Sequence, residues 1–213
     1  QKGPNVIWYG DLITEAITEN VKTGLWSKER VVSGYRYLVG VQMAICRGGG
    51  DGVVLKRIWI GDDEVYSGTT STDTFIDIDE PSLFADNAGG AGNGGVQTSV
   101  DFYVGSKTQV VNTYLDDTDR QRLAGATSCP RYTGTCHVVL REMTSAAPTA
   151  SDKGAYIGDS TTIKPWSFEV LRLPSLFSGQ TAGQNAIGSD ANPMNVVYEI
   201  LTDTEWGFGF PAS

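Results

Sequence analysis

Arg30-Val-Val-Ser-Gly-Tyr-Arg-Tyr-Leu-Val-Gly-Val-Gln-Met-Ala-Ile-Cys46 is the stretch whose reading decides the fold class. β-Branched and aromatic residues fill it, and Tyr35, Tyr37, Val39 and Val41 recur at every second position. A period of two puts successive side chains on opposite faces of a strand, so one face of this strand is expected to be buried. Gly34 and Gly40 interrupt the run. Glycine inside a strand marks a bulge or a bend, as a curved sheet requires.

The same patterning extends both ways. Upstream, Val6-Ile-Trp-Tyr9 is a short strand-like run closed by Gly10 and Asp11. Downstream, the turn from Arg47 to Gly52 leads into Val53-Val-Leu-Lys-Arg-Ile-Trp-Ile60, and Gly61-Asp62 reverses the chain before Glu64-Val-Tyr66. Val100, Phe102 and Val104 alternate against Asp101 and Tyr103, and Cys136 to Arg141, Ala155 to Ile157 and Trp166 to Leu173 read as further strands. Polar connectors rich in Ser, Thr, Gly and Asp separate them, the most glycine-rich being Asn87 to Gly95. One helix is expected near the end. Asn192 can cap it, Pro193 suits its first position, Val197, Ile200 and Leu201 recur at helical spacing as a core-facing stripe, and Gly207 can stop it.

With 213 residues, 40% apolar and 19% charged, the chain can bury an ordinary core and is neither a disordered tail nor a bundle of membrane helices. No apolar run nears the roughly 18–20 residues that cross a bilayer. Gln1 stands where an initiator Met would, and the aromatic stretch from Glu205 to Ser213 follows the helix directly, so the chain is expected to be an excerpt of a longer reading frame. A net charge of −9 argues against a surface that grips phosphates, which needs Lys and Arg.

The chemistry that can be drawn from the residues is thin. Cys46, Cys129 and Cys136 are too few for a disulfide framework; they read as small buried hydrophobes, with a loop closed between Cys129 and Cys136 as the other option. Those two with His137 make three metal ligands and no fourth, so no metal is expected. The glycine-rich turn at 47–52 lacks the Lys-Ser/Thr and helix of a phosphate loop. Asp62-Asp63-Glu64, Asp77 to Glu80 and Asp116 to Asp119 are acidic enough for a glycosidase or calcium, yet read as solvated turns. His137 has no serine elbow beside it. Trp8, Trp26, Trp59, Trp166 and Trp206 offer sugar stacking but sit in apolar patterns that favour core or subunit contact. No catalytic residue and no cofactor are expected.

Four segments together resemble the tail-tip hub proteins of long-tailed bacteriophages, the lambda host-specificity family. The first is Pro4 to Asp11, with Trp8, Tyr9, Gly10 and Asp11 similar to the family's Trp-Tyr-Gly-Asp. The second runs from Gly34 and Tyr35 through Cys46, Gly48, Asp51 and Gly52 to Trp59, with Gly49 or Gly50 where the family usually has Pro. The third holds Ala155 to Ile157 with Trp166 and Phe168. The fourth resembles the family's Asn-Pro helix and its Trp-Gly-x-Gly ending, here Asn192, Pro193, Tyr198, Leu201, Trp206, Gly207 and Gly209.

The resemblance implies a mainly β fold, with a tail-tube-like β-barrel or sandwich hub domain in two pieces, 1–80 and 145–180. It implies an inserted β-rich domain at 81–144, while 181–213 holds a loop and the helix that begins the next hub domain. It implies a homotrimer in the virion that meets other tail-tip and tail-tube proteins and caps the tail tube. Tape-measure protein and then DNA would leave through it, past an acidic wall that does not hold them. The other reading is an extracellular carbohydrate-binding β-sandwich, motivated by the tryptophans and the Asp/Gly-rich loops.

Overall fold

The computed structural model describes residues 3–22, 28–48, 52–84, 94–116, 127–158 and 163–211. The chain is mainly β, with antiparallel pairing throughout and one helix among the described residues. The strands are β1 (Asn5–Tyr9), β2 (Ile13–Lys22), β3 (Lys28–Val39), β4 (Val41–Arg47), β5 (Val53–Ile60), β6 (Asp63–Thr70), β7 (Thr74–Glu80), β8 (Val96–Tyr103), β9 (Thr135–Arg141), β10 (Ala155–Tyr156), β11 (Trp166–Arg172), β12 (Ala186–Ile187) and β13 (Asp190–Ala191), followed by α1 (Pro193–Thr202).

β3 and β4 are one run broken only at Gly40. Any side chain there would meet the Tyr114 hydroxyl and the Trp8 ring. β1 and β2 lie along one edge of this run: Asn5 to Tyr9 pair with Ala44 to Val41, and Ile13 to Lys22 pair with Leu38 to Lys28. The Gly10 N–H joins the two halves by donating to Gly40 O at 2.8 Å. Residues 5–22 and 28–47 therefore make a single long hairpin. On its other edge β4 pairs with β9, while β3 pairs with β10 only through Leu38 and Val39. β8 then takes β9 and β10 on one side and β7 on the other. A smaller sheet, β11-β5-β6, shares its core with the large one.

That core holds Val53, Leu55, Ile58, Ile60 and Trp166 from the small sheet against Val41, Met43, Val100, Phe102, Val138 and Leu140 from the large one. Each such side chain contributes roughly 1.5–3 kcal/mol on leaving water. β8 and β9 are buried on both faces, beyond the one-sided burial their alternation predicts. Their second face, with Tyr103 and Val139, is covered by Tyr114, Leu115 and Cys129 of the long connection between them.

Residues 81–144 supply β8 and β9 to the middle of the large sheet, in the same core as β4 and β5. One expectation changes here: the buried face read over Tyr35 to Val41 exists only in the inner half of the hairpin. Val39 and Val41 are buried and Tyr37 half-buried, but Tyr35 is 50% exposed.

Candidate functional site

The most distinctive feature is the outer half of the hairpin, Ile13–Lys22 paired with Lys28–Tyr37. It projects with both faces largely uncovered. Directly paired residues share a face. One face carries Ile13, Ile17, Val21 and Val31 with Glu15, Glu19, Glu29 and Arg36; the other carries Tyr35, Tyr37 and Val32 with Thr18, Lys22, Lys28 and Arg30. Pairing skips Ser33 beside Gly34, so the interrupting glycine does mark a bulge. The hairpin is anchored at its base, where Lys153 is ion-paired to Glu15 and Arg36 lies over the Tyr156 ring at 5.5 Å.

α1 is a second uncovered surface, and it corrects the stripe read as core packing. Asn192 caps the helix by accepting from the Met194 N–H at 3.0 Å, and Pro193 occupies its first turn, as the sequence indicates. The inward face, however, is polar. Asn195 and Glu199 are buried, Asn195 donating to Ser175 O at 3.1 Å and Glu199 ion-paired to Arg172. Val197 is 50% and Leu201 39% exposed, with Met194 and, beyond the helix, Phe208 and Phe210 also on the surface. The helix ends at Asp203, before Gly207, whose N–H still donates to Asp203 O at 3.1 Å.

Arg47 and Arg172 fasten this end of the chain to the sheets. Arg47 reaches Asp203 at 3.2 Å and Glu205 at 2.9 Å and lies 5.3 Å from the Trp206 ring centre; the Arg172 Nε donates to Arg47 O at 3.1 Å. The second, third and fourth resembling segments thus meet at two arginines that motif reading did not single out. The signal for Arg172 was Glu199, one of an i, i+4 pair of polar residues with Asn195 on an otherwise apolar helix, a polar stripe that needs partners when buried.

The third feature is a sealed ionic cluster on the second face of the large sheet. Arg141, 0% exposed, donates through Nε to Asp101 at 2.9 and 3.0 Å and through Nη1 to Asp152 at 3.0 Å. Asn112 bridges Asp101 and the Tyr103 hydroxyl at 2.8 and 3.0 Å. Burial pushes the Asp101 carboxyl above its usual value against the pull of Arg141, and burial likewise pushes the Tyr103 hydroxyl up. His137 stacks on Tyr103 with ring centres 4.8 Å apart, and burial holds its imidazole below its ordinary value, hence neutral near pH 7. With the carboxylates engaged by arginine and closed off from solvent, this cluster bolts loops 106–116 and 142–153 to the sheet.

The other singled-out residues are dispersed. Trp8 sits edge-on to Tyr114 with ring centres 6.3 Å apart, and a side chain at Gly10 would press on it at 3.0 Å; Tyr9 and Asp11 are exposed. Gly48 is buried, and a Cβ there would lie 2.5 Å from Gly105 Cα. Gly52 and Gly209 have φ of +116° and +67°, which favour glycine. Trp166 is in the core stacked on Phe168, Trp59 is half-buried on β5, and Tyr198 packs against Phe177 with ring centres 5.1 Å apart. Asp51, Trp26, Asp117 and Asp119 lie outside the described residues. Asp77 and Asp79 accept from Ser99 and Gln97, and Asp116 accepts from the Cys129 N–H. Cys129 and Cys136 fall in different hydrophobic clusters and no disulfide joins them, so the loop closure between them is not made.

Among the described residues no group of three or more His, Cys, Asp or Glu is placed to hold a metal, and no helix is long and apolar enough to cross a membrane. No known family model matches the chain, and no curated protein matches it in sequence.

Proposed function

We propose that this chain is a structural part of the tail tip of a long-tailed bacteriophage: a tail-tube-like β-barrel or sandwich hub that caps the tube as a trimer. Its work is to seal, to hold neighbouring tail-tip proteins, and to leave a conduit for tape-measure protein and DNA. The observation that carries the reading is the outer hairpin. An isolated two-stranded ribbon is marginal in water, and open strand edges are templates for pairing with another chain. Among the described residues, β2 has an open outer edge along its whole length and β3 an open edge from Lys28 to Arg36. Two open edges let each copy take one neighbour on either side, the condition for a closed ring.

The outward apolar face of α1 suits a second contact, with the next hub domain or another tail-tip protein, since patches of this kind mark interaction surfaces. The net charge of −9 suits a passage for DNA that must not stick. Sedimentation of the intact protein tests the reading. The expected result is a species of three times the monomer mass, reduced to monomer by the double substitution Val32→Glu, Tyr35→Glu with an unchanged far-ultraviolet circular dichroism spectrum. A wild-type protein that stays monomeric at every concentration contradicts it.

A further inference from the structure

Cys46 and Cys136 are directly opposed residues of neighbouring antiparallel strands, β4 and β9, brought into register by a bulge between Ala44 and Cys46. Opposed Cα atoms in such a ladder are about 4.5–5.5 Å apart, inside the roughly 4.4–6.8 Å that a disulfide spans. The two side chains are on the same side of the sheet, Cys136 within the hydrophobic core and Cys46 packed against it. Access is unequal. Cys136 is wholly buried, whereas Cys46 is partly open and lies near the Arg172 guanidinium. Cys129 is in a separate cluster on the opposite face, with its thiol donating to Pro130 O at 3.3 Å.

We propose that Cys46 and Cys136 form an oxidation-dependent disulfide staple, with Cys46 attacking and Cys136 resolving, and that its oxidant is a small-molecule disulfide of the glutathione class. Cys46 loses its proton, and its thiolate attacks one sulfur of the oxidant. The oxidant's S–S bond breaks, and one thiol leaves with a proton. Cys136, deprotonated in turn, attacks the Cys46 sulfur of the mixed disulfide and releases the second thiol. Two protein thiols and one small disulfide become one protein disulfide and two small thiols, so electrons and protons balance. The neighbouring thiol and Arg172 both favour the Cys46 thiolate, which fits its role as attacker, while the adjacent sulfur and burial push the Cys136 thiol up.

The bond would tie the base of the long hairpin to β9, closing a chain loop that contains β5 to β8. It would remain open in a reducing cell interior and close outside it. This inference does not depend on the hub reading, because its chemistry is that of the isolated chain.

The test is oxidation of the reduced, folded protein by oxidised glutathione, followed by alkylation in denaturant and peptide mapping without reductant. The expected result is a Cys46–Cys136 linked peptide, Cys129 alone alkylated, and a melting temperature raised on the order of 10 °C. Cys129→Ser should leave the link intact. Cys136→Ser should instead trap a stable glutathione adduct on Cys46. The proposal is overturned by three alkylated cysteines after oxidation, by a Cys129–Cys136 link, or by a glutathione adduct that persists on wild-type Cys46.

Discussion

Replacing Arg141 with Met keeps most of the aliphatic volume of the side chain and removes every donor. In the native protein those donors reach both oxygens of Asp101, one of Asp152, the Thr144 hydroxyl at 2.9 Å and the carbonyls of Ala146 and Glu142 at 2.6 and 3.3 Å. Without them two carboxylates stay buried with no cation between them. Removing one partner of a buried pair costs about 3–5 kcal/mol, which for a chain of this size lowers the melting temperature by about 6–20 °C. Part of the loss can be relieved by protonation. Burial already raises the Asp101 carboxyl above 3.8, and without Arg141 it climbs further. The folded variant then holds a proton that the unfolded chain has released, so its stability improves as pH falls towards the raised value. Urea unfolding of Arg141→Met at about pH 8 and about pH 5 should show a large loss at the higher pH and a smaller one at the lower. A loss below about 1 kcal/mol, as for an exposed ion pair, or one that grows on acidification, refutes the account of a sealed cluster.

The other predictions follow from single contacts. His137 is the only histidine and its folded form binds a proton more weakly than the unfolded chain, so its contribution is complete above pH 6.5 and is lost as pH drops below that value. His137→Phe, which keeps a ring on Tyr103, should flatten the dependence of urea midpoint on pH in that window, and an unaltered slope would contradict it. Gly48→Ala forces a methyl against the Gly105 backbone and should cost about 1–3 kcal/mol by thermal unfolding; an unchanged melting temperature would count against the close approach. Asn192→Ala removes the cap of α1 and should cost about 0.5–2 kcal/mol, read by the same assay, with no change as the adverse result. Val197→Ser with Leu201→Ser should leave the isolated chain within about 0.5 kcal/mol of wild type, because both residues face outward; a large loss by urea unfolding would place them in a core.

Strand patterning carried much of the fold because a period of two and a glycine interruption are local signals. Val39, Val41, Phe102 and Trp166 are where their alternation puts them, and the Asn192-Pro193 opening of α1 is written in its capping chemistry. What lay beyond reach was partnership. Nothing in Val96 to Tyr103 says that β7, β9 and β10 all lie beside it, so a stretch that fills the middle of the large sheet reads as an insertion. Burial fails for the same reason: Tyr35 alternates with Tyr37 and Val39 but extends past the body that would cover it. The apolar stripe of α1 misleads because amphipathicity reports two faces without saying which is inward. Arg172 lies far from Glu199 in sequence, as Arg47 does from Asp203 and Glu205, and only the folded chain brings these partners together.

Cryo-electron microscopy of an intact tail tip containing this chain tests the central claim most directly. The account predicts three copies of this chain around a channel, with Ile13–Lys22 and Lys28–Tyr37 of each copy against its neighbours. A single copy in the tail, or hairpins that stand free in solvent in the complete assembly, would contradict it.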